Sequence, residues 1–254
     1  PKLREIKKSC SNAIEAMVKI LMDDDSIAYN VLLSSGFDIE SIYLNINPNK
    51  TNVVLSDNYV HLYGEEYLLE DILGLKFNVS PASFMQVNHD NAEKLYSEAF
   101  RMANLNKDMN VIDAYCGMGS ITLNIAKHVN HVYGIELVED AIKNANKNKE
   151  LNNISNATFI CGKCEEEIKK LTNLTNIDVI FFDPPRKGCD QEFLKTVVEM
   201  NIPKIVYISC GIASLCRDIN YLKEHNYEVI EVTPTDLFSR TSHVETVVRL
   251  DRKG

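Results

Sequence analysis

Cys210 and Glu245 are the pair of side chains in this sequence from which a reaction can be built. Cys210 ends the run KIVYISC, which reads as a buried strand, and the helical stretch ASLCRDINYLKEH follows it. A cysteine so placed stands at the carboxyl end of a strand, the edge at which open α/β sheets bind ligands. Glu245 falls in SHVETVVRL, where it shares a strand face with His243 and Val247 while Val244, Thr246 and Val248 point the other way. Alone, such a cysteine is usually a small buried hydrophobe and such a glutamate usually faces water. Together they are a nucleophile and a base. Carbon 5 of a uracil is a poor nucleophile, but a thiolate added at carbon 6 converts the ring to an enolate whose carbon 5 can attack an electrophilic methyl group. A base must then remove the proton at carbon 5 so that the thiol is eliminated.

The methyl donor has its own signature. VIDAYCGMGS, Val111 to Ser120, reads as strand, glycine turn and helix, and Gly117 and Gly119 allow backbone to approach a ligand closely. The turn lacks the third glycine of the dinucleotide pattern and has no Walker lysine, which disfavours a pyrophosphate ligand. Glu136 closes the next strand, HVYGIE, at the distance expected of an acid that holds ribose hydroxyls. S-adenosylmethionine is the leading ligand: it offers a ribose, an amino-acid part and a sulfonium cation that tolerates an acidic pocket. IFFDPPRKGCD puts Asp183 at another strand end, with two prolines that stiffen the loop after it. Amino-directed methyltransferases often carry an aromatic after the two prolines. Arg186 stands there instead, which favours methylation at carbon.

The elements that must position these residues are a strict alternation of strand and helix from HDNAEKLYSEAFRMANL onward. Such units predict a Rossmann-like α/β domain, a mostly parallel seven-stranded sheet covered on both faces. The last two strands have no helix between them, so one is expected to run antiparallel at or near an edge. Residues 1–82 read differently, as a helix over LREIKKSCSNAIEAMVKILM and short strands SIYLNINPN, TNVVLSD, NYVHLYG and LKFNVSP. We expect a small α+β domain over 1–82 and a catalytic domain over 83–254. KNANKNKE is expected to be a solvated helix face. Seven cysteines in 254 residues, without framework spacing, suit reduced thiols in a cytoplasm. Cys161 and Cys164 form a single C-x-x-C, too little to predict a metal site, and Cys116 reads as packing. No apolar run predicts a membrane span. The net charge of −9 argues mildly against nucleic acid, yet Arg186, Lys187, Arg217 and Arg240 all fall near predicted strand ends where an RNA backbone would be met.

FMQVN, DAYCGMGS, GIE, DPPRKGCD, YISCG…LCRD and TSHVETVV occur in the order seen in the bacterial RNA uracil-5-methyltransferases that modify 23S rRNA. The chain resembles that family from about Ser41 to Leu250, including LNINPNKTNVVL and LYGEEYLLEDILG. The resemblance implies S-adenosylmethionine contacts at Gln86, Tyr115, Glu136 and Asp183, a nucleophile at Cys210 and a base at Glu245. It implies 23S rRNA as partner, with no role for DNA or a membrane, and a cytoplasmic monomer is expected. The family's amino-terminal TRAM domain and its occasional iron–sulfur cluster are expected to be missing here. Gly211 and Ile212 stand where the family usually has Asn-Pro, and Ser239 where it usually has Pro, which touches rate and target choice more than reaction type. Two other readings stand beside this one: the same chemistry on the tRNA T-loop, and a non-catalytic RNA-binding protein that kept the fold.

Overall fold

A computed structural model describes residues 39–47, 56, 58–86, 88–238, 240–241 and 243–254. The chain forms two compact units, residues 1–68 with 79–82, and residues 69–78 with 83–254. The helix predicted over residues 3–22 and nearly all of TNVVLSD lie outside the described residues.

In the smaller unit, β1 (Ser41–Asn45) and β2 (Tyr59–Gly64) pair antiparallel, with Ser41 opposite Gly64 and Asn45 opposite Tyr59. Gly64 has φ +78, and a β-carbon there would fall 1.9 Å from the Glu40 carbonyl oxygen, so only glycine closes this corner. The Asn45 side chain ties back to Ser56, accepting from its N–H at 2.9 Å and donating to its carbonyl at 2.7 Å.

In the larger unit, β3 (Leu68–Ile72) and β4 (Leu75–Val79) make a two-stranded sheet, of which residues 69–78 belong to this unit. The turn between them places Leu73 and Gly74 at positive φ, 53 and 78, the pattern that fits the twist of a tight hairpin. β3 is absent from the sequence reading because the adjacent acids Glu70 and Asp71 interrupt its alternation. Then come α1 (His89–Ala103), β5 (Asn110–Ala114), α2 (Ser120–Ala126), β6 (His131–Glu136), α3 (Glu139–Leu151), β7 (Ala157–Cys161), α4 (Cys164–Thr172), β8 (Val179–Phe182), α5 (Gln191–Glu199), β9 (Lys204–Ser209), α6 (Ile212–Glu224), β10 (Tyr227–Thr235) and β11 (Glu245–Arg252).

The seven-stranded sheet has the order β10-β11-β9-β8-β5-β6-β7. β6 and β7 lie on one side of β5 and β8 and β9 on the other, so the winding reverses between β5 and β8. In doubly wound sheets that reversal opens the ligand crevice. β11 runs antiparallel to both β9 and β10 and lies one place in from the edge. Alternate strand residues face opposite layers: Ile112, Ala114, Ile135, Ile180, Phe182, Ile205, Tyr207, Val248 and Leu250 form one core with Ile168 of α4, Phe193 of α5 and Leu222 of α6.

The polar face of α3 is not simply solvated, contrary to the sequence reading. Asn148 is fully buried and Asn144 nearly so. Asn148 accepts from the Asn78 N–H of β4 at 2.8 Å and donates to the Met118 carbonyl at 3.2 Å. Asn144 donates to Ser83 Oγ at 2.9 Å, and Asn152 both accepts from and donates to the Lys76 backbone. The Asn148 and Asn152 amides pair with backbone groups of β4 and fasten the hairpin to α3, while Asn144 Oδ1 has no partner among the described residues.

Candidate active site

One edge of the large sheet collects the reactive side chains, and strand direction explains why. β5, β6, β8 and β9 are parallel, so Tyr115, Glu136, Asp183 and Cys210 all lie at or just beyond carboxyl ends. β11 is antiparallel, so its first residue, Glu245, arrives at the same edge. Across the sheet the order is Glu245, Cys210, Asp183, Tyr115, Glu136. Neighbouring strands lie about 4.8 Å apart, which keeps the first three within reach of one small ring. Thr246 pairs with Ser209, so one step further the register sets Glu245 beside Cys210.

Glu245 is 3% exposed, and its Oε2 has no hydrogen-bond partner among the described residues. Burial raises its pKa above the usual carboxylate range. A buried acceptor without a donor costs about 1–3 kcal/mol, a penalty that a base awaiting a proton would carry. The strand reading put Glu245 on a face with His243, and taken alone favoured solvent. The structure buries it.

Cys210 is half-buried. Desolvation, then the charges of Glu245 and Asp183, raise its thiol pKa, while the Arg186 guanidinium pulls the other way. The thiol is therefore protonated at rest, and positive charge brought into this edge would favour its thiolate. Asp183 is pushed up to about 8 by desolvation and by the Glu245 and Asp113 charges. Arg186 donates to His243 Nδ1 at 3.0 Å, so the loop after Asp183 meets the segment before Glu245.

Glu136 accepts at Oε1 from the Leu137 and Val138 N–H groups, at 2.8 and 3.0 Å, and at Oε2 from the Gly117 N–H at 3.3 Å. The acid thus ties the end of β6 to the glycine turn. Gly117 has φ +54 and open space where a β-carbon would lie, whereas at Gly119 that atom would meet the Phe159 ring at 2.7 Å. One glycine opens a cradle and the other allows packing. Tyr115 has φ 64, and its ring lies 5.2 Å from that of Phe193 of α5, packed against the core. Gln86 is buried in the segment leading into α1 and does not come from the sheet edge. Cys116 is buried, as read. Cys161 is exposed and Cys164 buried, and among the described residues no group of three or more His, Cys, Asp or Glu could hold a metal ion.

Asp113 is missing from the sequence reading. It is 1% exposed on β5, accepts from Thr122 Oγ1, and leaves Oδ1 without a partner among the described residues. Desolvation pushes its pKa up to about 7. The available signal was a carboxylate inside an otherwise apolar strand, VIDAY. Tyr96 of α1 is also buried and feels the charges of Asp183, Asp113 and Glu245, which with desolvation raise its pKa. Beside the expected site residues stand apolar side chains facing water: Phe84 (79% exposed) before Gln86, Leu137 and Val138 after Glu136, and Ile212 after Cys210.

An acid whose pKa is higher in the folded chain than in the unfolded one favours folding only while protonated, so its contribution falls as pH rises between those two values. For Asp113 the window runs from about 3.9, the unfolded reference, to about 7. We expect the stability of wild type, relative to Asp113→Asn, to fall as pH goes from 5 to 8, by at most roughly 2.5 kcal/mol, because part of the window lies below pH 5. Parallel melting curves for the two proteins across that range would contradict the burial of a charged Asp113.

A family profile described as tRNA (uracil-5-)-methyltransferase matches residues 29–253. An uncharacterized RNA methyltransferase of Listeria innocua is 45% identical over 222 residues, covering 87% of this chain and 49% of the relative. One from Clostridium acetobutylicum is 46% identical over 216 residues, with 84% and 47% covered. The crystal structure of the Pyrococcus abyssi tRNA (uracil-54, C5)-methyltransferase in complex with S-adenosyl-L-homocysteine superposes with a TM-score of 0.69 at 29% identity, covering 85% of this chain and 52% of that one. The chain spans about half the length of the curated relatives it matches. With a profile match over most of its length and a sheet edge that gathers a thiol, a buried carboxylate and a glycine turn, the chain belongs to the tRNA (uracil-5-)-methyltransferase family.

Proposed function

We propose that this protein transfers a methyl group from S-adenosylmethionine to carbon 5 of a uridine in 23S rRNA, through a covalent bond between Cys210 and carbon 6 of the base. The observation that carries this reading is the buried, unpartnered Glu245 beside Cys210 on the ligand edge of the sheet. Amino methylation would give neither residue a task.

S-adenosylmethionine is the cofactor of this family, and the residues here fit it. The open side of Gly117 leaves room for a ligand, Asp113 Oδ1 lacks a donor, and Glu136 stands at the ribose position of such turns. When bound, the cofactor supplies a methyl group on a cationic sulfur. Asp113, Glu136 and Asp183 would hold it, with Tyr115 and Gln86 as further contacts. Cys210 Sγ would pass its proton to solvent and add to uracil carbon 6, moving the ring's electrons to carbon 5, which would take the methyl group as that group's bond to the cofactor's sulfur breaks and the sulfur keeps the electron pair. Glu245 then accepts the proton from carbon 5, and the Sγ–C6 bond breaks to restore the ring and the thiolate. The uridine must leave its stack to enter such an edge. The exposed Phe84 and Ile212 offer apolar surface to a base there.

The motif order of 23S rRNA enzymes supports the rRNA target, and Arg186, Lys187 and Arg240 supply cations near the site despite the net charge of −9. The Pyrococcus abyssi neighbour is named for uracil 54 of tRNA, which supports the T-loop as a second reading. In either reading the protein works as a cytoplasmic monomer, with catalysis in 83–254 and a small α+β domain over residues 1–82, of which residues 69–78 pack with the larger unit. Total RNA from a strain deleted for this protein, incubated with the protein and S-adenosylmethionine, is expected to gain 5-methyluridine in 23S rRNA. Gain confined to tRNA would overturn the rRNA assignment in favour of the T-loop.

A further inference from the structure

We infer that Arg217 and Asp218 are a positioning pair that holds the Cys210 turn in register with the Asp183 loop. Asp218, in the second turn of α6, is fully buried. Its Oδ2 accepts from the Tyr207 hydroxyl of β9 at 2.8 Å and from the Cys189 N–H at 2.9 Å. Its Oδ1 accepts from Arg217 Nε at 2.8 Å. The same guanidinium donates to the carbonyls of Lys187 at 3.0 Å and Cys189 at 3.2 Å. One turn earlier, Ser214 Oγ donates to the Arg186 carbonyl at 3.0 Å. The backbone of residues 186–189 is thereby sewn to the first two turns of α6.

Two glycines make this close approach possible. A β-carbon at Gly188, where φ is +81, would lie 2.6 Å from Asp218 Oδ2. At Gly211 it would lie 2.8 Å from Ser214 Oγ and 2.9 Å from the Arg186 carbonyl oxygen. Gly211 is one of the positions at which this chain departs from the usual Cys-Asn-Pro. The seam thus occupies the space that an asparagine side chain would need.

The seam has a site residue at each end. Asp183 enters the loop through Pro184 and Pro185, which fix its path. Cys210 leaves β9 directly into Gly211 and α6. Every loop partner of Arg217 and Asp218 is a backbone group, so the pair sets where the loop runs. A buried carboxylate is costly unless fully paired, and this one has three donors. Arg217, read from sequence as a surface cation near RNA, is bound into this seam.

The inference rests on the proposed chemistry at Cys210, and two readouts keep the two ideas apart. Arg217→Ala removes one arm from a partly exposed side chain, and Asp218→Asn keeps an acceptor for Tyr207 while losing the charge that Arg217 meets. Each variant is compared with wild type for methylation kinetics, and for the pH dependence of Cys210 alkylation by iodoacetamide, followed by mass spectrometry of the Cys210 peptide. We expect kcat to fall about 10²-fold, with KM for RNA and for S-adenosylmethionine within about threefold of wild type. Loosening the loop admits water to a thiol whose pKa is raised chiefly by desolvation, so the alkylation profile is expected to move to lower pH. A folded Arg217→Ala with wild-type kcat and an unmoved profile would overturn the inference, as would a loss confined to KM for RNA, which would make Arg217 a phosphate contact. If Asp218→Asn does not fold, Arg217→Ala decides. If wild type itself does not methylate RNA, the proposed function falls and the alkylation profile alone judges the seam.

Discussion

Alanine in place of Cys210 is expected to abolish methyl transfer, lowering kcat by at least about 10⁴-fold, since removal of an attacking nucleophile leaves only binding and orientation. The fold should survive. Cys210 is half-buried at a sheet edge, makes no part of the main core and contributes a small side chain. S-adenosylmethionine affinity should hold or rise, because the thiol follows β9 whereas the acids proposed to hold the cofactor lie on or just past β5, β6 and β8. Rapid-quench methylation with the variant and wild type, alongside calorimetric cofactor binding, checks both statements. A variant that keeps more than a few per cent of wild-type kcat would place the nucleophile elsewhere.

Glu245→Gln has a different signature, because in the proposed mechanism the glutamate acts after the methyl group has moved. Its amide cannot take the carbon 5 proton, so turnover is expected to drop about 10²- to 10⁴-fold, the usual contribution of a positioned base. Methyl transfer to the first uridine should still occur, and the protein should remain bonded to RNA through Cys210. Ordinary, unfluorinated RNA would then give a band that survives denaturation. The stability of wild type relative to the variant should also fall as pH rises above the ordinary carboxylate range, since burial raises the pKa of Glu245 and its ionisation in the folded chain is unfavourable. Relative stability gained with rising pH while activity is lost is the trade expected of a strained functional group. Release of RNA at the wild-type rate would assign the base to another residue, and Asp183, pushed up to about 8, would be the next to replace.

Much of the site was legible because strand ends are legible. HVYGIE coincides with β6, and the reading KIVYISC placed Cys210 one residue past the end of β9. Glu245 was harder. Its strand face suggests solvent, and only the need of a thiol for a base argued for burial; the antiparallel run of β11 supplies the geometry that neither residue reveals alone. Asp113 shows the converse: a carboxylate within VIDAY could be seen, but its unpartnered oxygen could not. The buried Asn144 and Asn148 depend on partners in or beside the β3–β4 hairpin, some 60 to 70 residues away in the chain, and their composition resembles that of a solvated face. The Arg217–Asp218 seam was unreadable for the same reason. Its partners are carbonyls and an N–H of a loop nearly thirty residues earlier, and backbone groups carry no sequence signal.

The central claim is a covalent bond between Cys210 and a uracil ring, and fluorine at carbon 5 tests it most directly because fluorine cannot leave as a proton. The protein would be incubated with S-adenosylmethionine and 5-fluorouridine-substituted 23S rRNA and tRNA, then resolved on a denaturing gel, with Cys210→Ala as control and the adduct peptide identified by mass spectrometry. The account predicts a protein–RNA adduct that carries the methyl group, requires the cofactor and maps to Cys210. No adduct from wild type under conditions where it binds the RNA, or an adduct that persists in Cys210→Ala, would contradict it.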